Sequence, residues 1–147
     1  MTDLVYTTYD SATGKIISVI QCGSASQVEA NLEGKTYISG YHNPGQYYIQ
    51  DNTPVQIPDD PSTDLIKYNF DYATKTWALD GERTANETRM QRLRYLTSVD
   101  AVSAVRLSLL SDEQKQQLIE YRQALLDVPQ QSGFPENVAW PSKPDWL

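Results

Sequence analysis

The sequence predicts an α+β protein: a small antiparallel N-terminal β domain over residues 1–79, a helical hairpin over 80–128, and an extended Pro/aromatic C-terminal arm over 129–147. Three observations carry this. Short β-branched and aromatic runs separated by turn residues fill the first half. From residue 81 to beyond 120 there is no proline, and helix-forming residues dominate. The last nineteen residues then alternate prolines (Pro129, Pro135, Pro141, Pro144) with Phe134, Trp140 and Trp146.

Taken in order, "LVYTTYD" (4–10) and "KIISVIQC" (15–22) read as a hairpin around "SATG", with Gly14 free to take the positive φ of a bulged loop. "ASQVEANL" (25–32) has the length of one or two helical turns. "TYISGY" (36–41) and "QYYIQ" (46–50) are further strands, with "HNPG" as turn chemistry between them. Pro54 and Pro58 lack a backbone donor, so the run at 51–58 belongs on a sheet edge. "PDDPSTD" (58–64) is a loop, and "KYNFDYATKTWAL" (67–79) is a second hairpin. Tyr9-Asp10-Ser11-Ala12-Thr13 and Phe70-Asp71-Tyr72-Ala73-Thr74 share an aromatic-Asp-x-Ala-Thr pattern, one turn solution used twice.

In "GERTANETRMQRLRYLTSVDAVSAV" (81–105), Met90, Leu93, Leu96 and Val99 recur every three residues and predict a broad, drifting apolar face. Arg83, Arg89, Arg92 and Arg94 among Glu82 and Glu87 read as a solvated face, or as a basic patch for an acidic partner. Leu107–Leu110 form a short or irregular joint. The next helix begins at Ser111, which stands in capping-box spacing with Gln114. It carries a stripe of Leu118, Ile119, Leu125 and Leu126 with Tyr121 beside it. Pro129 ends it near Asp127.

Composition narrows the function. The net charge is −7, from 12 basic and 19 acidic residues, with the acid excess before residue 81. Phosphate backbones require Lys/Arg-rich faces, so no nucleic-acid partner is expected. No apolar run approaches the roughly 18 residues of a membrane span, and the first residues lack the pattern of a signal peptide. With a single cysteine, Cys22, no intrachain disulfide forms, in keeping with a reducing cytoplasm.

Catalytic candidates are few. Cys22 and His42 are the only thiol–imidazole option, and both read more simply as a buried strand-end residue and a surface-turn residue. One His and one Cys do not make a zinc cage, and Asp59-Asp60 lack calcium-loop spacing. Phosphate loops and nucleophile elbows are absent from the sequence. No catalytic, cofactor or metal residue is assigned, and a protein that works by surfaces is expected. The proline-stiffened arm is the strongest surface feature: preordering lowers the entropy lost on docking, and its aromatics supply area. It either caps the protein's own elements or docks on a partner.

Residues Tyr121, Arg122, Leu125, Pro129, Gln130, Gln131, Gly133, Phe134, Pro135, Asn137, Val138, Trp140, Pro141, Lys143 and Pro144 spell a helix ending in Tyr-Arg-x-x-Leu, then Pro-Gln-Gln, Gly-Phe-Pro, Asn-Val and Trp-Pro-x-Lys-Pro. This closing signature resembles that of phage tail assembly chaperones, and it is similar to the end of tail fibre assembly proteins. The close resemblance covers 111–144. "TRMQRLRYLTSVDAV" looks like the family's preceding arginine-rich helix, except that Asp100 is followed by Ala101 where the family has an Asp-Trp pair. The N-terminal part looks like a small β module of phage tail proteins.

The resemblance implies a bacteriophage protein that helps a tail or tail-fibre subunit fold or assemble in the host cytoplasm, without cofactor or catalysis. Tyr121, Arg122, Leu125, Phe134, Pro135, Trp140 and Pro141 are the expected partner-facing or dimer-forming residues. The alternatives are a permanent virion component of the tail tip, baseplate or tail fibre, and a glycan-binding module.

Overall fold

The structure, a computed structural model, describes residues 4–147 and is α+β. By internal packing the chain divides into two compact units. One holds the residues up to Asp60 together with Asn69–Ala78; the other holds Pro61–Tyr68 and Leu79–Leu147.

In the first unit, β1 (Leu4–Tyr9) and β2 (Ile16–Cys22) form the expected antiparallel hairpin, and β3 (Tyr37–Ser39) pairs with the other edge of β1, giving the order β2-β1-β3. The eight-residue helix α1 (Ala25–Leu32) connects β2 to β3, capped at its start by the Ser24 hydroxyl. β4 (Tyr47–Gln50) and β5 (Thr53–Gln56) are a separate antiparallel pair, so Pro54 does lie on an edge. Asp51 and Asn52 both have positive φ, 50° and 58°, as a two-residue primed turn demands. The Tyr9 phenol donates to Asn52 Oδ1 at 2.7 Å. Tyr9, Ile16 and Ile49 form the small buried core, with Ile38 and Tyr47 against it.

The repeated Asp turn is present twice. Asp10 Oδ1 accepts the Ala12 N–H at 2.8 Å, and Asp71 Oδ1 accepts the Ala73 N–H at 2.8 Å. These bonds hold both carboxyls below the usual aspartate range. The fifth residue of each turn is left-handed: Gly14 at φ 73° and Lys75 at φ 60°. Asp71 opens the loop between β6 (Tyr68–Asp71) and β7 (Thr76–Leu79). Phe70 stacks on Tyr48 and meets Trp77 edge-on, and the Trp77 indole donates to the Pro58 carbonyl at 3.0 Å.

In the second unit, α2 (Gly81–Asp100) and α4 (Asp112–Leu126) are the hairpin. The Asp80 carboxylate caps α2 through the Arg83 N–H. Both halves of the Ser111–Gln114 capping box are made, at 2.9 and 3.1 Å. The joint is itself helical: Ser103 caps α3 (Ala104–Leu109). Thr84 is fully buried, and its hydroxyl accepts the Lys67 N–H at 3.0 Å, tying the 61–68 loop to the first turns of α2.

Two expected apolar faces are corrected. α2 buries Ala85, Thr88, Leu96 and Val99, while Met90 and Leu93 are 51 % and 55 % exposed. A three-residue step falls short of a helical turn by about 60°, so two steps carry the stripe off the seam. In α4 Leu118, Tyr121 and Leu125 are buried, whereas Ile119 is 61 % exposed. One of the four arginines also leaves the solvated face: Arg92 turns inward and donates Nη1–H to the Leu126 carbonyl at 3.2 Å, satisfying the C-terminal end of α4.

A Cβ on Gly14 would stand 2.0 Å from the Ile49 carbonyl oxygen, while at Gly34, φ 72°, it would meet nothing. Gly34→Ala therefore costs only the left-handed backbone, about 1 kcal/mol, and Gly14→Ala adds a backbone clash, for about 3 kcal/mol in total. Urea unfolding of the two variants, followed by circular dichroism, checks this order.

Candidate functional site

Two helices side by side each bury only a stripe, and their seam needs a third layer. Here Leu96 and Val99 of α2 meet Leu118, Tyr121 and Leu125 of α4, and Trp140, Trp146 and Leu147 of the arm pack against that cluster. The arm therefore docks in cis. Trp140 meets Tyr95 edge-on, with ring centroids 5.3 Å apart. The Trp146 indole donates to Gln117 Oε1 at 2.7 Å, and its carbonyl accepts from Arg106 at 2.7 Å.

Local chemistry shapes the arm. A single 3₁₀ turn, Val128–Gln130, follows α4, with Val128 fully buried. The Asn137 N–H donates to the Gly133 carbonyl at 2.6 Å, closing a turn so tight that a Cβ on Gly133 would lie 2.1 Å from the Asn137 oxygen. The Phe134–Pro135 peptide inside this turn is cis. The Gln131 amide accepts the Ala139 N–H at 2.8 Å and donates to the Ala139 carbonyl at 2.9 Å, standing in for a strand partner just before Trp140. The Arg89 guanidinium lies 5.5 Å from the Phe134 ring centroid.

The seven residues expected to face a partner take three kinds of position. Leu125 is fully buried and Tyr121 nearly so; burial, with Tyr95 nearby, pushes the Tyr121 phenol above its ordinary pKa. Phe134, Pro135, Trp140 and Pro141 are half-buried, each keeping an outer surface. Arg122 is exposed and donates Nε–H to Asp100 Oδ1 at 2.8 Å. That bond, with the Coulomb attraction behind it, lowers the Asp100 pKa.

Sequence reading missed Gln117, Arg106, Tyr95 and the 61–68 loop. The first two hold Trp146, and the others join Trp140 in lining a groove. The groove consists of two adjoining hollows of about 330 and 580 Å³ that share Asp64, Leu65 and Trp140. The smaller has an apolar lining of Leu65, Ile66, Pro135, Val138 and Trp140. Among the described residues lining it, the charged ones are Asp64 and Glu136. Tyr95, Glu87, Lys67 and Arg94 line the larger hollow.

Elsewhere, Cys22 is buried at the end of β2 with the Asn31 amide 3.8 Å from its sulfur, and the His42 ring packs on Tyr47. No group of three or more His, Cys, Asp or Glu suited to a metal ion occurs among the described residues, and no helix is long and apolar enough to cross a membrane.

Residues 85–145 match the family model for phage tail assembly chaperone protein. The match runs from the first turns of α2 through the docked arm, and it includes all of the 111–144 signature. No curated protein and no solved structure matches the chain.

Two outcomes follow from the cis-docked arm. Trp140→Ala removes a half-buried ring from the seam and costs about 3 kcal/mol. Gly133→Ala forces the turn open and lowers stability by a similar amount, about 2–3 kcal/mol, without touching the aromatic layer. Chemical denaturation of the full-length variants measures both.

The lowered Asp100 pKa fixes a sign for pH. Its ion pair contributes stability that is fully present above the ordinary aspartate pKa and is lost as pH falls through the lowered folded value. Carboxyl NMR titration of the wild type should place Asp100 below the ordinary range, and Arg122→Gln should return it toward that range.

Proposed function

From the family match over residues 85–145, we propose that this protein is a bacteriophage tail assembly chaperone. It binds a tail or tail-fibre protein in the host cytoplasm during assembly and performs no catalysis. The observation that carries this reading is that the matched residues run from Ala85, in the first turns of α2, through α4 to Asp145, and so hold most of the helical hairpin and of the arm that closes it. Sequence similarity and a shared hydrophobic core thus fall on the same folded unit.

The partner surface in this reading is the outer side of the arm with its neighbouring helix. Phe134, Pro135, Trp140 and Pro141 offer the half-covered apolar area that interfaces use as anchors. Arg122 offers an exposed, directional donor group already steered by Asp100. Tyr121 and Leu125 act from beneath, holding the arm in the conformation that presents those anchors.

Because the arm forms part of the core, its deletion would test folding rather than recognition. Co-expression of the full-length chain with each tail and tail-fibre protein of the same phage is the direct experiment. The expected result is a several-fold rise in the soluble yield of one of them, with the chaperone present in lysate and absent from purified particles by mass spectrometry. No change for any of them would overturn the proposal. Stoichiometric presence in particles would instead establish a permanent component of the tail.

A further inference from the structure

The groove beside Trp140 has three features that together specify an occupant. The first is shape. The Tyr95 and Trp140 rings stand at 77° to one another, making a notch, and the Pro135 ring continues the wall of the smaller hollow. Notches between aromatic and proline rings suit the ridges of a polyproline II segment, which enters already ordered.

The second is an uncommitted donor. Among the described residues, the Trp77 indole N–H donates to Pro58 and that of Trp146 to Gln117. Among the described residues the Trp140 N–H has no acceptor, and it is not fully buried. An extended proline-containing backbone makes no internal hydrogen bonds, so its carbonyls are free to accept such a donor.

The third is charge. Asp64 and Glu136 are exposed on the rim of the smaller hollow, with no cation among the described residues lining it. The larger hollow adds Glu87 to Asp64 and also carries Lys67 and Arg94, which donate to the neutral Thr63 carbonyl at 2.8 Å and Gln91 amide at 3.1 Å and keep their charge, so the acidic excess of the groove lies at the smaller hollow. A carboxylate rim around an apolar floor favours a cationic visitor.

We propose that this groove seats an extended, proline-containing partner segment bearing lysine or arginine. Its prolines or aliphatic side chains fill the Tyr95–Trp140 notch and the Leu65–Pro135 floor. One of its carbonyls takes the Trp140 N–H, and its cations meet Asp64 and Glu136. The proposal deepens the chaperone reading and rests on it for the source of the segment, a tail protein.

The test uses the full-length ¹⁵N-labelled protein, whose three tryptophans give three indole signals. The probe is the peptide acetyl-Ala-Pro-Lys-Pro-Leu-Pro-Lys-Ala-amide, compared with a version in which glutamate replaces each lysine. The lysine peptide should move the Trp140 indole signal saturably and leave Trp77 in place, and the glutamate peptide should move neither. The double variant Asp64→Lys with Glu136→Lys, at two exposed positions, should keep its native signal dispersion and bind the lysine peptide about tenfold more weakly. Added salt should weaken the wild-type complex in the same direction. An unmoved Trp140 signal, an equal response to both peptides, or full affinity in the charge-reversed variant overturns the proposal. So does a Trp140 shift on concentrating the protein alone, which would assign the groove to a second copy. Co-expression is scored separately, so the chaperone reading can survive failure of the groove.

Discussion

The second unit depends on one interaction: the burial of Trp140, Trp146 and Leu147 on the seam between α2 and α4. A two-helix hairpin lacks the buried area to offset the entropy of ordering its chain. The arm supplies the missing layer, and large aromatic rings supply it in few residues. Everything near the seam is arranged around that layer. Gln117 and Arg106 fasten Trp146 by its indole and its carbonyl, and the Gln131 amide fixes the strand-like approach to Trp140.

In the proposed function, stability and recognition share residues. The half-buried side chains of an arm already bound in cis keep an outer surface that a partner would meet without a further cost in ordering. Arg92 shows the same economy: it bonds the Leu126 carbonyl at the end of α4, next to the 3₁₀ turn that launches the arm. The position and direction of the arm are therefore set by the helices, which is the condition for presenting a fixed surface.

The first unit obeys a different constraint. Its core is small, built on Tyr9, Ile16 and Ile49, and its geometry is held by turns. The paired Asp10 and Asp71 turns put a left-handed residue at the same place, once as glycine and once as lysine. Gly14 is bound to its identity by the Ile49 carbonyl, which occupies the space of a Cβ. Lys75 accepts the unfavourable backbone and places its ammonium 4.7 Å from the Tyr48 ring centroid.

Local rules were enough to read much of this protein from its sequence. The hairpin around Gly14, the repeated Asp turn, the capping box at Ser111 and the end of α4 before Pro129 all depend on neighbours within a few residues. The resemblance to the family whose model matches residues 85–145 was legible too, because the Pro-Gln-Gln to Trp-Pro-x-Lys-Pro signature is long and unusual in composition. What a sequence period alone could not settle was which face of α2 turns inward, since Met90 and Leu93 are as apolar as the residues that are buried. Nor could it show that the arm folds back, or that the 61–68 loop joins the helices to form a groove with Trp140. Those outcomes were decided by tertiary structure, because each depends on contacts between residues far apart in the chain, where packing and hydrogen-bond geometry, not local propensity, select the partner.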